Sequence, residues 1–247
     1  MTLRALIFDL DGTLADTEEA HRQAFNAAFI ELELWWDWSP ELYAKLLRVS
    51  GGKERISHYI GTLKVTPAER ARALSSVELI HATKTRIFKD LLESFKLPLR
   101  PGVAKLIGEA RAAGVRLAIA STTTSGNVRA LVSAALGRGA MSWFATIVAG
   151  DIVANRKPAP DIYLRALQGL RLTADSCVAF EDSTNGLRAA KAAGLLAVVT
   201  PTRWNMGQDF AGADLLPGTL EAVDLPMLER LHAGATGRGV VSPERGG

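Results

Sequence analysis

Residues 5–17 read ALIFDLDGTLADT: four apolar positions, two aspartates two residues apart, a glycine, and then the start of a helical pattern. A short apolar run bounded by turn residues is the signature of a buried strand. Carboxylates that close such a strand are costly unless they are paired or bound to a metal. Asp9 and Asp11 leave an extended backbone on the same face, while Gly12 lets the chain turn sharply beneath them. The opening strand therefore ends in a charged device that needs a counterpart elsewhere in the chain.

Four further short apolar runs follow: VRLAIAS (115–121), ATIVAG (145–150), SCVAFED (176–182) and LLAVVT (195–200). Helical stretches separate them, among them GVAKLIGEARAAG (102–114), APDIYLRALQGL (159–170) and STNGLRAAKAAG (183–194). Strands alternating with helices that end in glycine predict an α/β fold, a Rossmann-like, doubly wound parallel sheet. Residues 16–97 break the alternation, because they are helical throughout and too long for one crossover. They predict an inserted α-helical cap, hinged near Ala15 to Thr17 and again near Leu97 to Pro101, where LPLRPG interrupts the pattern. The expected domains are a core of 1–15 and 98–233, a cap of 16–97, and a frayed tail of 234–247, rich in glycine and charge.

The composition excludes several classes. With 247 residues, 48% of them hydrophobic and 22% charged, the chain suits one large domain or a core with an insert. A net charge of +3, with lysines and arginines scattered rather than clustered, suits a small anionic ligand and not a nucleic acid. One cysteine, Cys177, builds neither a disulfide framework nor a zinc site. No apolar run is long enough to span a membrane, and the strand at the N-terminus leaves no room for a signal peptide. A monomeric cytoplasmic protein is expected.

In a parallel sheet, ligands bind outside the carboxyl ends of the strands. Asp9 and Asp11 follow the first strand and the hydroxyl cluster Ser121 to Thr124 follows the second. Lys157 follows the third, and Glu181 with Asp182 follows the fourth. Carboxylates so crowded raise one another's pKa unless a hard divalent cation neutralises them, and an all-oxygen ligand set favours Mg2+. An open metal position then invites a phosphate, with Ser121 and nearby backbone N–H groups on its oxygens and Lys157 as a fixed positive charge. Asp9 is placed to act as nucleophile and Asp11 as general acid and base. Taken singly, each of these is an ordinary residue: a strand-end cap, a helix N-cap, a solvated lysine. Their joint occurrence is what carries the reading.

In this order, DLDGTLADT, STTT, RKPAPDIY and EDSTNG resemble the four motifs of the haloacid dehalogenase superfamily over roughly residues 3 to 200. The resemblance implies an aspartyl-phosphate on Asp9, with Asp11 as acid/base and Ser121 and Lys157, with Thr122 beside them, at the phosphoryl group. It also implies Mg2+ held by Asp9, the backbone carbonyl of Asp11, and Asp182, with Glu181 alongside. Arg156 stands where relatives often carry glycine, a departure that removes no ligand.

The first cap helix, TEEAHRQAFNAAFIELE (17–33), puts His21, Ala24, Phe25, Ala28, Phe29 and Leu32 on one stripe. Glu18 and His21 extend that stripe toward the site. SGGKERI (50–56) reads as a glycine-rich turn opening another helix, with Lys53 and Arg55 at its anion-favouring end. With TKTRIF (83–88) and TTTSGNV (122–128), these stretches are similar to CbbY-type sugar-phosphate phosphatases, neighbours of β-phosphoglucomutase. That resemblance implies that Glu18, His21, Tyr43, Gly52 and Lys53 contact the sugar. It gives a second phosphate to Lys53, with Arg55, and implies xylulose 1,5-bisphosphate, an inhibitory by-product of carbon fixation, as substrate. The alternatives are a phosphosugar mutase and a non-catalytic phosphate-binding regulator. Trp35, Trp36 and Trp38 are expected in core or hinge packing, with stacking on a ligand as the alternative, and Lys84 and Arg86 in solvent, with a substrate contact as the alternative. His58, His81 and His232 receive no role.

Overall fold

Hydrophobic residues on both faces of every strand call for helices on both sides of the sheet. The computed structural model, which describes residues 2–94, 97–150 and 152–237, has that arrangement. Strands β1 (Ala5–Phe8), β2 (Arg116–Ser121), β3 (Phe144–Ala149), β4 (Cys177–Glu181) and β5 (Leu196–Val199) form one parallel sheet in the order β3-β2-β1-β4-β5. Along β1 the side chains alternate between two cores. Leu6 and Phe8 pack with Leu117 and Ile119 under helices α6 (Val103–Ala112), α7 (Ser125–Leu136) and α10 (Leu225–Gly237). Ala5 and Ile7 pack with Ala118 and Ala179 under α8 (Asp161–Leu170) and α9 (Thr184–Ala192). The chain leaves β1 in one direction for β2 and β3, then in the other for β4 and β5. The crevice beyond the end of β1 is thus the topological switch point where α/β sheets bind ligands.

Between β1 and α6 the chain forms five helices: α1 (Glu18–Glu31), α2 (Pro40–Leu46), α3 (Gly52–Thr62), α4 (Pro67–Ser75) and α5 (Val77–Ser94). Local chemistry sets their starts. Ser39 accepts from the Leu42 N–H ahead of α2, and Thr66 with Glu69 makes a reciprocal capping box on α4. Phe25, Phe29, Trp36, Trp38, Tyr43 and Tyr59 form an aromatic cluster that gives the cap its own core. Trp36 and Trp38 are packed as expected; Trp35 is instead 76% exposed. The two hinge segments run side by side, with Ala15 bridging Leu99 and the Arg100 N–H donating to the Leu14 carbonyl at 2.8 Å. At the other end, α10 continues to Gly237, so the tail expected from 234 does not begin there; residues 238–247 lie outside the described residues. Among the described residues, no helix is long and apolar enough to cross a membrane.

Candidate active site

At the ends of β1 and β4, Asp9, Glu181 and Asp182 are buried with carboxylate oxygens within 4.8 Å of one another. The backbone permits this crowding at two glycines. Gly12 has φ +76°, and a Cβ on it would sit 2.1 Å from Asp182 Oδ2; a Cβ on Gly186 would sit 1.8 Å from Glu181 Oε2. The Lys157 ammonium enters the cluster from the loop after β3. It donates to Asp9 Oδ1 at 2.8 Å, to Glu181 Oε1 at 2.5 Å and to the Ala120 carbonyl at 3.1 Å. Tyr163 donates its hydroxyl to the same Glu181 oxygen. Glu181 Oε2 is buried without a hydrogen-bond partner among the described residues.

One lysine does not balance three carboxylates. Burial pushes Asp9 up to about 7 against the pull of Lys157, with Glu181 adding to the rise. Burial, reinforced by Asp9 and Glu181, pushes Asp182 well above the usual carboxylate range. Lys157 is raised because the charges of Asp9 and Glu181 outweigh the cost of its burial. An all-oxygen donor set with an orphaned carboxylate oxygen and a deficit of positive charge fits a hard divalent cation.

Asp11 is separate from this cluster. Its Oδ1 accepts from the Thr17 hydroxyl at 2.6 Å and from His21 Nε2 at 3.0 Å, and Lys84 Nζ lies 2.6 Å from His21 Nδ1. Burial lowers the pKa of His21, and the Lys84 charge lowers it further. The imidazole is therefore neutral near pH 7, with Nε2–H donating to Asp11 and Nδ1 accepting from Lys84. Burial raises Asp11, but His21, protonated in the acid range where Asp11 titrates, and the bonds from His21 and Thr17 outweigh it and hold Asp11 at about 2. Lys84 is not in solvent as expected. It is buried, with Nζ 4.9 Å from the Phe25 ring centroid and 4.8 Å from that of Phe88, and burial lowers it to about 7.

The cleft over these groups is lined on the core side by Ser121, Thr122 and Asn127. On the cap side it is lined by Glu18, Gly51, Gly52, Arg55 and His81. Two expected contacts are not on its wall. Lys53 pairs with Glu78 on α5, with Nζ 2.8 Å from Oε2. Tyr43 is buried behind Glu18, to which its hydroxyl donates at 2.7 Å, and it accepts from Arg55 Nη1 at 3.2 Å. Arg55 has no carboxylate partner among the described residues; it donates to Tyr43 and to the Leu46 and Val49 carbonyls.

Several residues of the site went unread in the sequence. His81 lines the cleft, and the apolar neighbours of Lys84 at 80 and 88 already marked a helix face turned inward. Asn205 donates to Asp182 Oδ2 at 2.6 Å from a loop with no motif of its own. Arg156 crosses from the core to the cap, pairing with Glu54 at 2.6 Å and donating to the Thr122 carbonyl at 3.3 Å. His58 is exposed, Arg86 pairs with Glu31, and His232 bonds the Asp175 carbonyl, all away from the cleft.

Acidic groups and a lysine at the switch point of a parallel sheet, covered by a helical cap, define a class, and comparison with known proteins agrees. A model of haloacid dehalogenase-like hydrolases matches residues 3–194, and the chain belongs to that family. It is 50% identical over 214 residues to the CbbY protein of Cupriavidus necator, covering 87% of this chain and 84% of that one. Among solved structures it is similar to CbbY from Rhodobacter sphaeroides in complex with phosphate, with a TM-score of 0.84 and 45% identity over 92% of this chain and 99% of that one. A variant of the same protein, solved with xylulose-(1,5)bisphosphate, aligns equally well. Within its family this chain is a phosphatase.

Proposed function

We propose that this phosphatase depends on Mg2+, works through an aspartyl-phosphate on Asp9, and hydrolyses xylulose 1,5-bisphosphate or a related sugar bisphosphate. The observation that carries the reading is a cleft with positive charge at both ends. Lys157 stands at Asp9, and Arg55, without a carboxylate partner among the described residues, stands on the cap wall. A sugar carrying one phosphate for chemistry and another for recognition suits cationic groups on both the core and the cap walls of one cleft. The ligand of the Rhodobacter sphaeroides relative supports the same class.

Asp9, Asp182 and the Asp11 carbonyl, with Glu181 alongside, would hold the cation, which supplies charge neutralisation and orientation to the phosphoryl oxygens. Lys157 and Ser121 bind the phosphoryl group, and Lys157 holds the Asp9 carboxylate at 2.8 Å and favours its ionised form against the burial that raises it. An Asp9 oxygen attacks phosphorus as the bond to the sugar oxygen breaks, and the leaving oxygen takes its proton from the protonated form of Asp11, the minor form at neutral pH because His21 and Thr17 hold this carboxyl at about 2. Water then attacks the acyl phosphate, Asp11 accepts its proton, and inorganic phosphate leaves. Glu18 and His21 close the sugar side, and cap closure excludes bulk water. We also place the enzyme in the cytoplasm as a monomer.

The test is phosphate release from a panel of sugar mono- and bisphosphates, with Mg2+ and with EDTA. Mg2+-dependent release strongest on a ketopentose bisphosphate is expected. Release confined to hexose monophosphates would discard the substrate, and accumulation of an isomerised sugar phosphate would replace hydrolysis by phosphoryl return.

A further inference from the structure

The loop after β5 belongs to the core, yet one of its side chains lies in the cap. Trp204 is 8% exposed and is the only buried member of the cap's aromatic cluster that comes from outside the cap, among the described residues. Its ring meets Tyr43 edge to face at 5.6 Å, the same Tyr43 that bonds Glu18 and Arg55. The next residue, Asn205, faces the opposite way and donates to Asp182 Oδ2 at 2.6 Å. Its side-chain oxygen accepts from Gln208 Nε2 at 2.8 Å, and Gln208 Oε1 accepts from the Thr184 N–H at the start of α9.

The root of the loop is fixed to the hinge. Arg100, in the second hinge segment, donates to the Thr200 carbonyl at 2.6 Å, to the Pro201 carbonyl at 3.0 Å, and to the Gly12 carbonyl. Beyond this root, two residues adjacent in the chain face two parts of the molecule, Trp204 the cap's aromatic cluster and Asn205 the acidic cluster at Asp182.

We propose that Trp204 is a positioning residue that couples cap closure to the acidic cluster by holding Asn205 on Asp182. This rests on the reading of Asp182 as a cation ligand. Docking of Trp204 against Tyr43 in the closed cap completes the hydrogen bond to Asp182, so a ligand that closes the cap tightens cation binding, and the reverse follows by linkage. The Trp204 indole N–H is buried without a partner among the described residues, so the ring edge against Tyr43, not a polar bond, makes the contact.

The test uses the full chain and compares Trp204→Ala with Trp204→Phe, which keeps a ring. The substrates are xylulose 1,5-bisphosphate and p-nitrophenyl phosphate, the latter without the hydroxyls and second phosphate by which the cap would be engaged. Trp204→Ala should lose at least tenfold in kcat/KM on the bisphosphate and no more than threefold on p-nitrophenyl phosphate, with Trp204→Phe within threefold of the parent on both. An equal loss on both substrates would overturn the proposal, since a merely structural tryptophan lowers both together. The second readout is calorimetric Mg2+ affinity in an Asp9→Asn background, with and without the bisphosphate. The bisphosphate should tighten Mg2+ binding severalfold in that background and not when Trp204→Ala is added; the same enhancement in both would overturn the proposal. Failure of the substrate reading shows separately, as no bisphosphate turnover by the parent chain. The kinetic ratio and the affinity comparison are then taken with ribose 5-phosphate, with the same outcomes expected.

Discussion

Lys84 Nζ lies 2.6 Å from His21 Nδ1, and through His21 the cap reaches Asp11 of the core, the proposed acid/base. A lysine on α5 thereby fixes the tautomer of a histidine on α1, which in turn fixes the orientation of a carboxylate beyond β1. This chain exists only while the cap sits on the core. Lys84→Met should lower kcat on a sugar bisphosphate by roughly 10- to 100-fold, the range for a misplaced general acid/base, with a much smaller change in KM. His21→Ala should cost at least as much. Steady-state kinetics of both variants check this; unchanged kcat in Lys84→Met would mean that His21 and Thr17 position Asp11 without help from Lys84.

The same lysine gives a pH signature in stability. Burial lowers Lys84 from the usual lysine range to about 7, so between pH 7 and about 10 the unfolded chain binds the proton more readily than the folded one. Stability contributed through Lys84 therefore rises with pH across that window. Urea unfolding of the parent and of Lys84→Met, at pH 7 and pH 9.5, should show the parent gaining on the variant by on the order of a few kcal/mol at the higher pH. A constant difference at the two pH values would contradict the burial of a titrating ammonium.

Each core motif follows directly on a strand end, and strands announce themselves by apolar runs, so Asp9, Asp11, Ser121, Lys157 and Asp182 could be placed at one sheet edge before any coordinates. The cap is different. Lys84 and Lys53 are both lysines on amphipathic helices, and only the packing of α1 against α5 decides that one enters the site while the other meets Glu78. Asn205 and Trp204 were illegible for a further reason: their loop has no periodicity, and its course is set by the distant Arg100.

If the substrate is a bisphosphate, as proposed, Arg55 is the better candidate than Lys53 to read its second phosphate. Arg55 is on the cleft wall and Lys53 is engaged by Glu78. Arg55→Ala should lower kcat/KM on a bisphosphate by about 30-fold or more, since a charge-assisted bond in a closed site contributes about 2 kcal/mol. The loss on a monophosphate should stay within fivefold, and Lys53→Ala should lie near the parent on both. Equal losses on both substrates in Arg55→Ala would mean that Arg55 shapes the cap through Tyr43 and does not read phosphate.

Asp9→Asn replaces the proposed nucleophile with an amide of the same shape. Turnover should fall by at least about a thousandfold, because no covalent intermediate forms. The fold should persist, since Lys157 keeps Glu181 and the Ala120 carbonyl as acceptors. Phosphate-release assays with a circular dichroism melt check both halves. Activity within tenfold of the parent would remove Asp9 from the mechanism.

The acidic cluster predicts opposite signs for Asp182→Asn with and without Mg2+. In the absence of the cation, burial beside Asp9 and Glu181 raises the folded-state pKa of Asp182, so ionising it costs stability as pH rises, and an amide escapes that cost. In EDTA the variant should therefore melt at or above the parent temperature. With Mg2+ the parent gains the free energy of ligand binding, about 2.7 kcal/mol at a hundred times Kd, which is roughly 5–10 °C for a chain of this size. The variant lacks one charged ligand and should keep less than half of that shift. Thermal melts of both proteins in EDTA and across a Mg2+ titration decide the matter. A variant that melts several degrees lower in EDTA yet shows the full Mg2+ shift would mean that Asp182 supports the fold and another set of oxygens takes the cation.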